Sequence, residues 1–501
     1  MFRKLKMHKA EFLSRKGLDK HNIHLKETIS FSRMTNVIFI VMDTARAKSF
    51  SFYGHDKKTT PNLEKFLKDS VLYKNAFANS PWTLPSHASF FTGLHVSRHG
   101  TNEINKKYSP KSETLPETLR KKGLRTTAIS SNTWISKFFN FDRGFDEFHN
   151  TWQIFDTDAD FTVINRLHAD KPRQERMKIL IKILFKNFFR NIVNASYEKL
   201  FYKRYDYGAR RINNIAKKII ENNKKPFFLF INYLEPHLKY KPPKGFRRFL
   251  SIGYNQARKI NQDAWKYIFK KEGMDDFDFK ILNELYDCEL NYLDYRIGKL
   301  LDYLKQKNLY DDSMIIITSD HGENIGEHEL MDHQYCLYDT LLKIPLAIKY
   351  PKKFILKNKT EDDLVQAIDL YPTILDVLKI KKMPHLEGNS ILKQIKTNET
   401  FAEYKGPQPS RKAILNQFGT VDFPFERALV STRTREHKFI WSSDGKHELY
   451  NIKNDPDETK NIILRNKELA KRFIEKISEF KNKMHFGERE KIKEGLSNLK
   501  I

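Results

Sequence analysis

Five short apolar runs, each closed by polar residues, constrain this chain more than any other feature. Val37 to Met42 is an unbroken apolar segment (VIFIVM) that stops at Asp43. TTAIS (126–130), FFLFI (227–231), MIIIT (314–318) and IPLAI (344–348) repeat the form. A short β-branched run of this kind predicts a strand buried on both faces of a parallel sheet. Helical signals lie between the runs. Thr60 as N-cap with Pro61 behind it opens TPNLEKFLKDSV. LPETLRKKG stops at Gly123, a C-cap signal. Residues 286–309 space their apolar side chains as a long amphipathic helix. Strands alternating with helices predict an α/β fold: a doubly wound sheet, mixed or parallel, with helices on both faces.

The length of 501 residues suits such a sheet with an appendage. After roughly residue 400 the texture changes. ALVSTRTREHKFIWSSDGKHELYNI alternates apolar and polar residues around an Asp444-Gly445 turn signal, and 466–484 has helical periodicity. The expected organisation is a basic arm over 1–35, a main domain over 36–400 with a basic insertion at about 168–225, and a small α+β domain over 401–501 with antiparallel strands and a terminal helix.

A formal charge of +28 asks for a partner. Nucleic acid, an anionic membrane surface, and an acidic glycan or lipid substrate are candidates, beside a composition that simply favours lysine. The lysines are spread along the whole chain, and no zinc-finger spacing, RNA-binding aromatic signature or helix-turn-helix pattern stands out, which argues against nucleic acid. MKILIKILFKNFFRNIV (177–193) reads as a basic amphipathic helix. It serves either as a peripheral anchor on anionic membrane or as a packed helix with its lysines in water. No apolar run reaches the length of a membrane span, and the basic N-terminus lacks the core of a secretory signal. With only Cys288 and Cys336, the expectation is a cytoplasmic protein, soluble or peripheral on a membrane.

Open α/β sheets bind ligands at the carboxyl ends of their strands. Asp43 follows one apolar run, Glu235 and His237 another, and Ser319-Asp320-His321 a third, so these groups are expected at one edge. Thr83, in PWTLPSHASFFTG, stands just ahead of a short helix that Gly93 can end. A helix N-terminus stabilises an anionic nucleophile or ester oxygen there, although a hydroxyl in that position also serves as a simple N-cap.

These segments, in order, resemble the sulfatase family of the alkaline-phosphatase superfamily. NVIFIVMDTARAKSFSFYG, TTPNLEKF and SPWTLPSHASFFTGLHVSRHG look like its start. NYLEPHLKYKPP, YDCELNYLDYRIGKLL, IIITSDHGENIGEHEL, LYDTLLKIPLAI, IDLYPTILDVLKI and ELYNIKNDPDETKNI resemble its later blocks. The similarity spans about residues 36–465. It implies that Asp43, Asp320 and His321 are metal ligands, with Thr83 at or near the same single divalent ion. It places His237 against the substrate, and His333 where many members face the transferred group with lysine or histidine. His87, Glu235 and Asn132 join them as substrate-binding candidates.

The sequence departs from the family at telling positions. Most members carry cysteine or serine where Thr83 stands and oxidise it to formylglycine. A threonine cannot follow that route, so formylglycine is not expected. His87 replaces an arginine, Thr44 an acid, and His321 an asparagine; SSNTWIS (130–136), with Asn132, replaces a Gly-Lys-Trp-His segment. An imidazole ligand favours zinc or manganese over calcium. The expectation is a hydrolase of a sulfate or phosphate ester on a glycan or lipid, with Thr83 as nucleophile. The alternatives are a phosphoryl-group transferase of the phosphoethanolamine or glycerophosphate kind and an inactive basic binding protein.

Overall fold

A computed structural model describes residues 35–155, 172–200, 206–223, 226–354, 359–393, 398–408 and 425–482. The basic arm lies outside the described residues apart from Thr35. The strands in chain order are β1 (Val37–Met42), β2 (Val71–Phe77), β3 (Arg125–Ser130), β4 (Glu147–Asn150), β5 (Phe227–Tyr233), β6 (Met314–Ser319), β7 (Asn324–Ile325), β8 (Met331–Asp332), β9 (Lys343–Ile344), β10 (Leu346–Lys349) and β11 (Thr360–Gln366). The main sheet runs β11-β2-β10-β6-β1-β5-β3-β4, with β9 beside β2. Its centre is parallel, β6 and β5 flanking β1. β10 runs antiparallel to both β6 and β2, which makes the sheet mixed. Pro345 supplies no N–H to a ladder and splits the IPLAI run into β9 and β10.

The helices used below are α1 (Pro61–Leu67), α2 (Thr83–Thr92), α3 (Leu115–Lys121), α4 (Arg173–Lys186), α5 (Phe188–Leu200), α6 (Ala209–Asn222), α7 (Asp276–Gln306), α8 (Leu370–Val377) and α9 (Lys467–Asn482). β1 shows why the sheet is doubly wound. Its alternate residues Val37, Phe39 and Val41 enter a core with Leu84 and Phe90 of α2, Leu119 of α3 and Ile374 of α8. Ile38, Ile40 and Met42 enter the opposite core with Phe66 of α1, Ile212 of α6 and Leu285 of α7. The period-two pleat of a fully buried strand requires apolar residues on both sides.

Three helix readings need correction. TPNLEKFLKDSV is not one helix: α1 ends at Leu67 and Val71 opens β2, held between β10 and β11. Thr60 makes no side-chain cap; its hydroxyl pairs with Ser51 Oγ at 2.9 Å. The long helix begins ten residues before Tyr286, where Asp275 and Asp278 form a capping box, and it ends at Gln306. The 177–193 segment is two helices, α4 and α5, divided at Asn187.

Beyond the main sheet, β12 (Thr400–Tyr404), β13 (Leu429–Arg433), β14 (Lys438–Ser442) and β15 (Glu448–Tyr450) form an antiparallel sheet. Gly445, at φ 80°, lies in the β14–β15 turn that Asp444-Gly445 signalled. One face packs Phe439 and Leu449 on Phe473 and Ile477 of α9. From the other, Tyr404, Leu429 and Ile440 join the main core. Asp339 meets Arg433 and Lys438 across this junction, Lys438 Nζ lying 2.8 Å from Asp339 Oδ1 and 2.7 Å from Glu458 Oε1.

Candidate active site and metal centre

Parallel pairing brings the strand ends together. Met42 is in register with Ser319 of β6 and Tyr233 of β5, so Asp43 and Asp320 emerge side by side. Both are fully buried. Asp43 Oδ2 accepts the Asn132 amide at 2.5 Å, and Asp320 Oδ1 accepts the backbone N–H of Thr44 (3.3 Å) and His321 (3.0 Å). The second oxygen of each, Asp43 Oδ1 and Asp320 Oδ2, has no hydrogen-bond partner among the described residues. His321 donates Nδ1–H to Gly322 O at 2.8 Å, which turns Nε2 toward the acids: 3.5 Å from Asp320 Oδ2, 4.0 Å from Asp43 Oδ1. One donor atom from each of the three lies within 4.8 Å of the others.

The electrostatics suit a cation. Burial pushes Asp43 up to about 7, and burial with the Asp43 charge beside it holds Asp320 well above the usual carboxylate range. Burial, then the nearby His333 charge, holds His321 well below its ordinary value, leaving it neutral and able to ligate. Two buried oxygens without donors, beside an imidazole nitrogen, form a donor set that a divalent ion fits.

Local backbone holds this arrangement. Thr44 adopts φ 56°, an uncommon conformation for a β-branched residue, so that its N–H can reach Asp320. Tyr286 of α7 donates its hydroxyl to Thr44 O at 2.9 Å. At Gly322 a Cβ would sit 1.9 Å from Thr340 O, so only glycine permits the close approach behind His321.

Thr83 is the first residue of α2 and buried, its Oγ1 3.3 Å from His321 Nε2 and 3.5 Å from Asn132 Nδ2. Trp82 anchors this helix start through an indole N–H bond to Glu103 (2.8 Å). His87, one turn on, donates Nδ1–H to Thr83 O at 2.8 Å and lies 3.6 Å from Asp320 Oδ2. Its ring packs edge-on against Phe90 and Phe230, and burial pushes its pKa down to about 4. That position does not fit the expected substrate contact: His87 is sealed beneath Thr83. Asn132 bridges the Asp43 carboxylate and the Thr83 hydroxyl.

His333 and His237 stand beside this cluster. The His333 ring centroid is 4.6 Å from that of His321 and 5.2 Å from that of His237. Nδ1 of His333 faces Asp332 Oδ1 (2.7 Å) and Glu323 Oε1 (3.1 Å). Burial favours the neutral ring, but these two carboxylates prevail and hold its pKa well above the ordinary value. The sequence reading missed Glu323 and Asp332. The one signal was an acid two residues beyond His321 and another beside His333. Glu235 does not join the group as expected. Its Oε1 accepts the N–H of Tyr207 (2.9 Å) and Ala209 (3.2 Å), closing the start of α6.

The sulfatase family profile matches residues 35–380, most of the chain. This protein belongs to the sulfatase family. The C-terminal domain of N-sulphoglucosamine sulphohydrolase matches residues 326–483. An uncharacterized sulfatase, YidJ of Escherichia coli, is 24% identical over 85% of this chain and 83% of its own length. The N-acetylglucosamine-6-O-sulfatase of Bacteroides thetaiotaomicron is 24% identical over 86% of this chain and 83% of its own. Two solved structures share the fold. One, in complex with D-glucosamine-2-N,6-O-disulfate, has a TM-score of 0.66 at 18% identity, covering 93% of this sulfatase and 100% of that chain. The phosphonate monoester hydrolase of Agrobacterium radiobacter has a TM-score of 0.67 at 17% identity, covering 90% and 96%. The chain is accordingly a sulfuric ester hydrolase of alkaline-phosphatase-like fold, and no helix among its described residues is long and apolar enough to cross a membrane.

Proposed function

We propose that this sulfatase is a metal-dependent hydrolase of sulfate esters on glycans, with Thr83 as its nucleophile. The carrying observation is the convergence of two unpartnered buried carboxylate oxygens, His321 Nε2 and the Thr83 hydroxyl on one point. Asp43, Asp320 and His321 hold the ion and Thr83 Oγ1 borders it; the donor set favours zinc or manganese. When bound, such an ion acidifies a neighbouring hydroxyl and draws charge from ester oxygens.

Thr83 Oγ1, its proton released to solvent, forms the bond to sulfur as the ester S–O bond breaks, and His333 delivers a proton to the leaving oxygen. Water then adds to sulfur as the Oγ1–S bond breaks. One water proton restores His333 and the other returns to Thr83 Oγ1, leaving sulfate as the product. Glu323 and Asp332 keep the His333 ring charged and oriented, Asn132 holds Asp43 and Oγ1 together, and His237 borders the transferred group. The glucosamine sulfatase among the relatives supports a glycan substrate.

Phosphate esters are the second reading, favoured by Thr83 itself. A threonine ester has no aldehyde to collapse to, whereas water or an acceptor alcohol can displace Oγ1 in line at phosphorus. The test compares aryl sulfate, phosphate monoester and phosphate diester on metal-stripped protein reloaded with Ca²⁺, Mn²⁺ or Zn²⁺. Sulfate turnover with Zn²⁺ or Mn²⁺ that disappears in Thr83→Ala supports the first reading. Phosphate preference supports the second, and full activity of Thr83→Ala removes Thr83 from the reaction.

The peripheral membrane contact is also proposed, on α4 and α5. Met177, Ile181 and Phe185 follow one another at helical spacing and are exposed, as are Phe188, Phe189 and Ile192 beyond the break; Phe189 is 81% exposed. Arg173, Lys178, Lys182 and Arg190 surround them, and Glu175 is the acid among the described residues of α4. Apolar stripes flanked by cations fit an anionic bilayer surface. Salt-sensitive co-sedimentation with anionic but not zwitterionic liposomes, weakened in Phe185→Ser/Phe189→Ser, checks it; equal binding by parent and variant refutes it.

A further inference from the structure

A cationic concavity, apart from the acidic cluster, opens beside the loop that carries His237. It has a volume of about 700 Å³ and is walled by Phe246, Tyr254 and Tyr295, with Arg210, Lys241, Lys244, Arg247 and Arg296 around it. None of these five cations forms an ion pair among the described residues. Arg247 stacks over Tyr254, its guanidinium carbon 3.4 Å from the ring centroid, and its Nε–H is spent on Pro242 O at 2.9 Å. Arg296 Nε is buried with no hydrogen-bond acceptor among the described residues. The one carboxylate in the lining, Asp206, spends its oxygens on the Tyr292 hydroxyl at 2.5 Å and the backbone N–H groups of Gly208 and Arg210 at 3.0 Å each, and forms no ion pair with the five cations. Five unpaired cations lining one concavity repel each other, and an anion bound there relieves that repulsion.

The place matters as much as the charge. Lys241 follows His237 by four residues, so the rim lies within about 15 Å of it along the chain. Tyr207, also in the lining, donates its hydroxyl to Lys239 O on the same loop. That reach corresponds to a few sugar rings.

We infer that this concavity is a recognition subsite for a second anionic group, a sulfate or carboxylate, on a sugar neighbouring the one whose ester is cleaved. Guanidinium groups take the oxyanion, while Tyr295 and Phe246 offer faces to the ring that bears it. The inference rests on the glycan-sulfatase reading.

The test uses the full chain, with Arg210→Ala/Lys244→Ala, two exposed positions, and separately Arg247→Gln. The probes are a polysulfated glucosamine–uronate tetrasaccharide, its desulfated uronate counterpart, and 4-nitrophenyl sulfate. The subsite predicts a KM for the sulfated tetrasaccharide at least tenfold higher in both variants, with kcat and the aryl sulfate kinetics unchanged. Calorimetry on Thr83→Ala, with and without the charge substitutions, reads binding without turnover, so it still decides the subsite if the chain cleaves no sulfate ester. A tenfold loss of affinity for the sulfated probe alone assigns the second group as sulfate, and for both probes as carboxylate. Unchanged affinity of the charge variants for both overturns the inference.

Discussion

Two buried charge clusters in this protein are built in opposite ways. At the junction of the two sheets, Asp339 is surrounded by Arg433 and Lys438, and Lys438 also reaches Glu458. Burial there would raise Asp339, yet the two cations hold it below the usual carboxylate range. At the edge of the main sheet, Asp43 and Asp320 are equally buried, pair with no lysine or arginine among the described residues, and are held above that range. The first cluster carries its countercharge in the chain and acts as a fastening. The second lacks such a countercharge, which is the feature that supports the proposed metal centre.

Asp320→Asn removes a charge from the second cluster. It is expected to lower turnover by about 10³-fold or more and to abolish the bound metal together with it, read by metal analysis beside aryl sulfate kinetics. Metal retained at full occupancy would place the ion elsewhere. Lys438→Ala tests the other side. It leaves Asp339 and Glu458 buried with less countercharge and is expected to destabilise the fold by about 3–5 kcal/mol in denaturant unfolding, while specific activity per folded molecule stays as in the parent. A loss of activity without a loss of stability would show that the junction serves the site.

A smaller effect is expected from Glu323→Gln, which keeps the shape around His333 but removes one of its two carboxylates. A fall in kcat of about tenfold, at unchanged metal content, is the outcome consistent with His333 as proton donor. The smallest effect is thermal. The folded pKa of Asp43 lies above its unfolded value, so metal-free protein binds more protons than the unfolded chain between about pH 4 and 7 and loses stability as pH rises through that window. Its melting temperature is expected to be a few degrees lower at pH 8 than at pH 5.5, and bound metal should remove the difference. The fastening responds in the other direction. Asp339, depressed in the folded state, contributes stability that is present above its unfolded pKa and lost only as the solution becomes strongly acidic.

What could be read from the sequence follows the same division between local and assembled features. Asp43, Asp320 and His321 stood out because each ends a run that must be a buried strand, and strand ends share an edge whatever the loops do. Thr83 stood out through its helix start and the family resemblance. β11 did not, because its first residues, Thr360 to Asp363, are polar and half-exposed at an edge, with a break in register between Glu361 and Leu364. β2 was hidden because Val71 follows α1 with no glycine or proline between them. The roles of Glu323 and Asp332 depend on the irregular segment between β7 and His333, where His328, Glu329 and Asp332 all have positive φ. No periodicity encodes that path. Glu235 and His87 carry the right chemistry at the right places in the chain, yet both are sealed: backbone holds Glu235 Oε1 (Tyr207 and Ala209) and His87 Nδ1 (Thr83), and the remaining polar atom of each is buried.

The parallel register of β1 and β6 also sets a length. Adjacent strands lie about 4.8 Å apart, and oxygens on opposite sides of a divalent ion are separated by roughly 4–5 Å. Asp43 and Asp320, the proposed ligands, each come one residue after a registered pair, so the width of the proposed seat is set by backbone hydrogen bonding. Side chains that follow can change the donor atoms without altering that width. A single residue inserted into β1 would instead turn the acid to the other face of the sheet, even with every ligand still encoded.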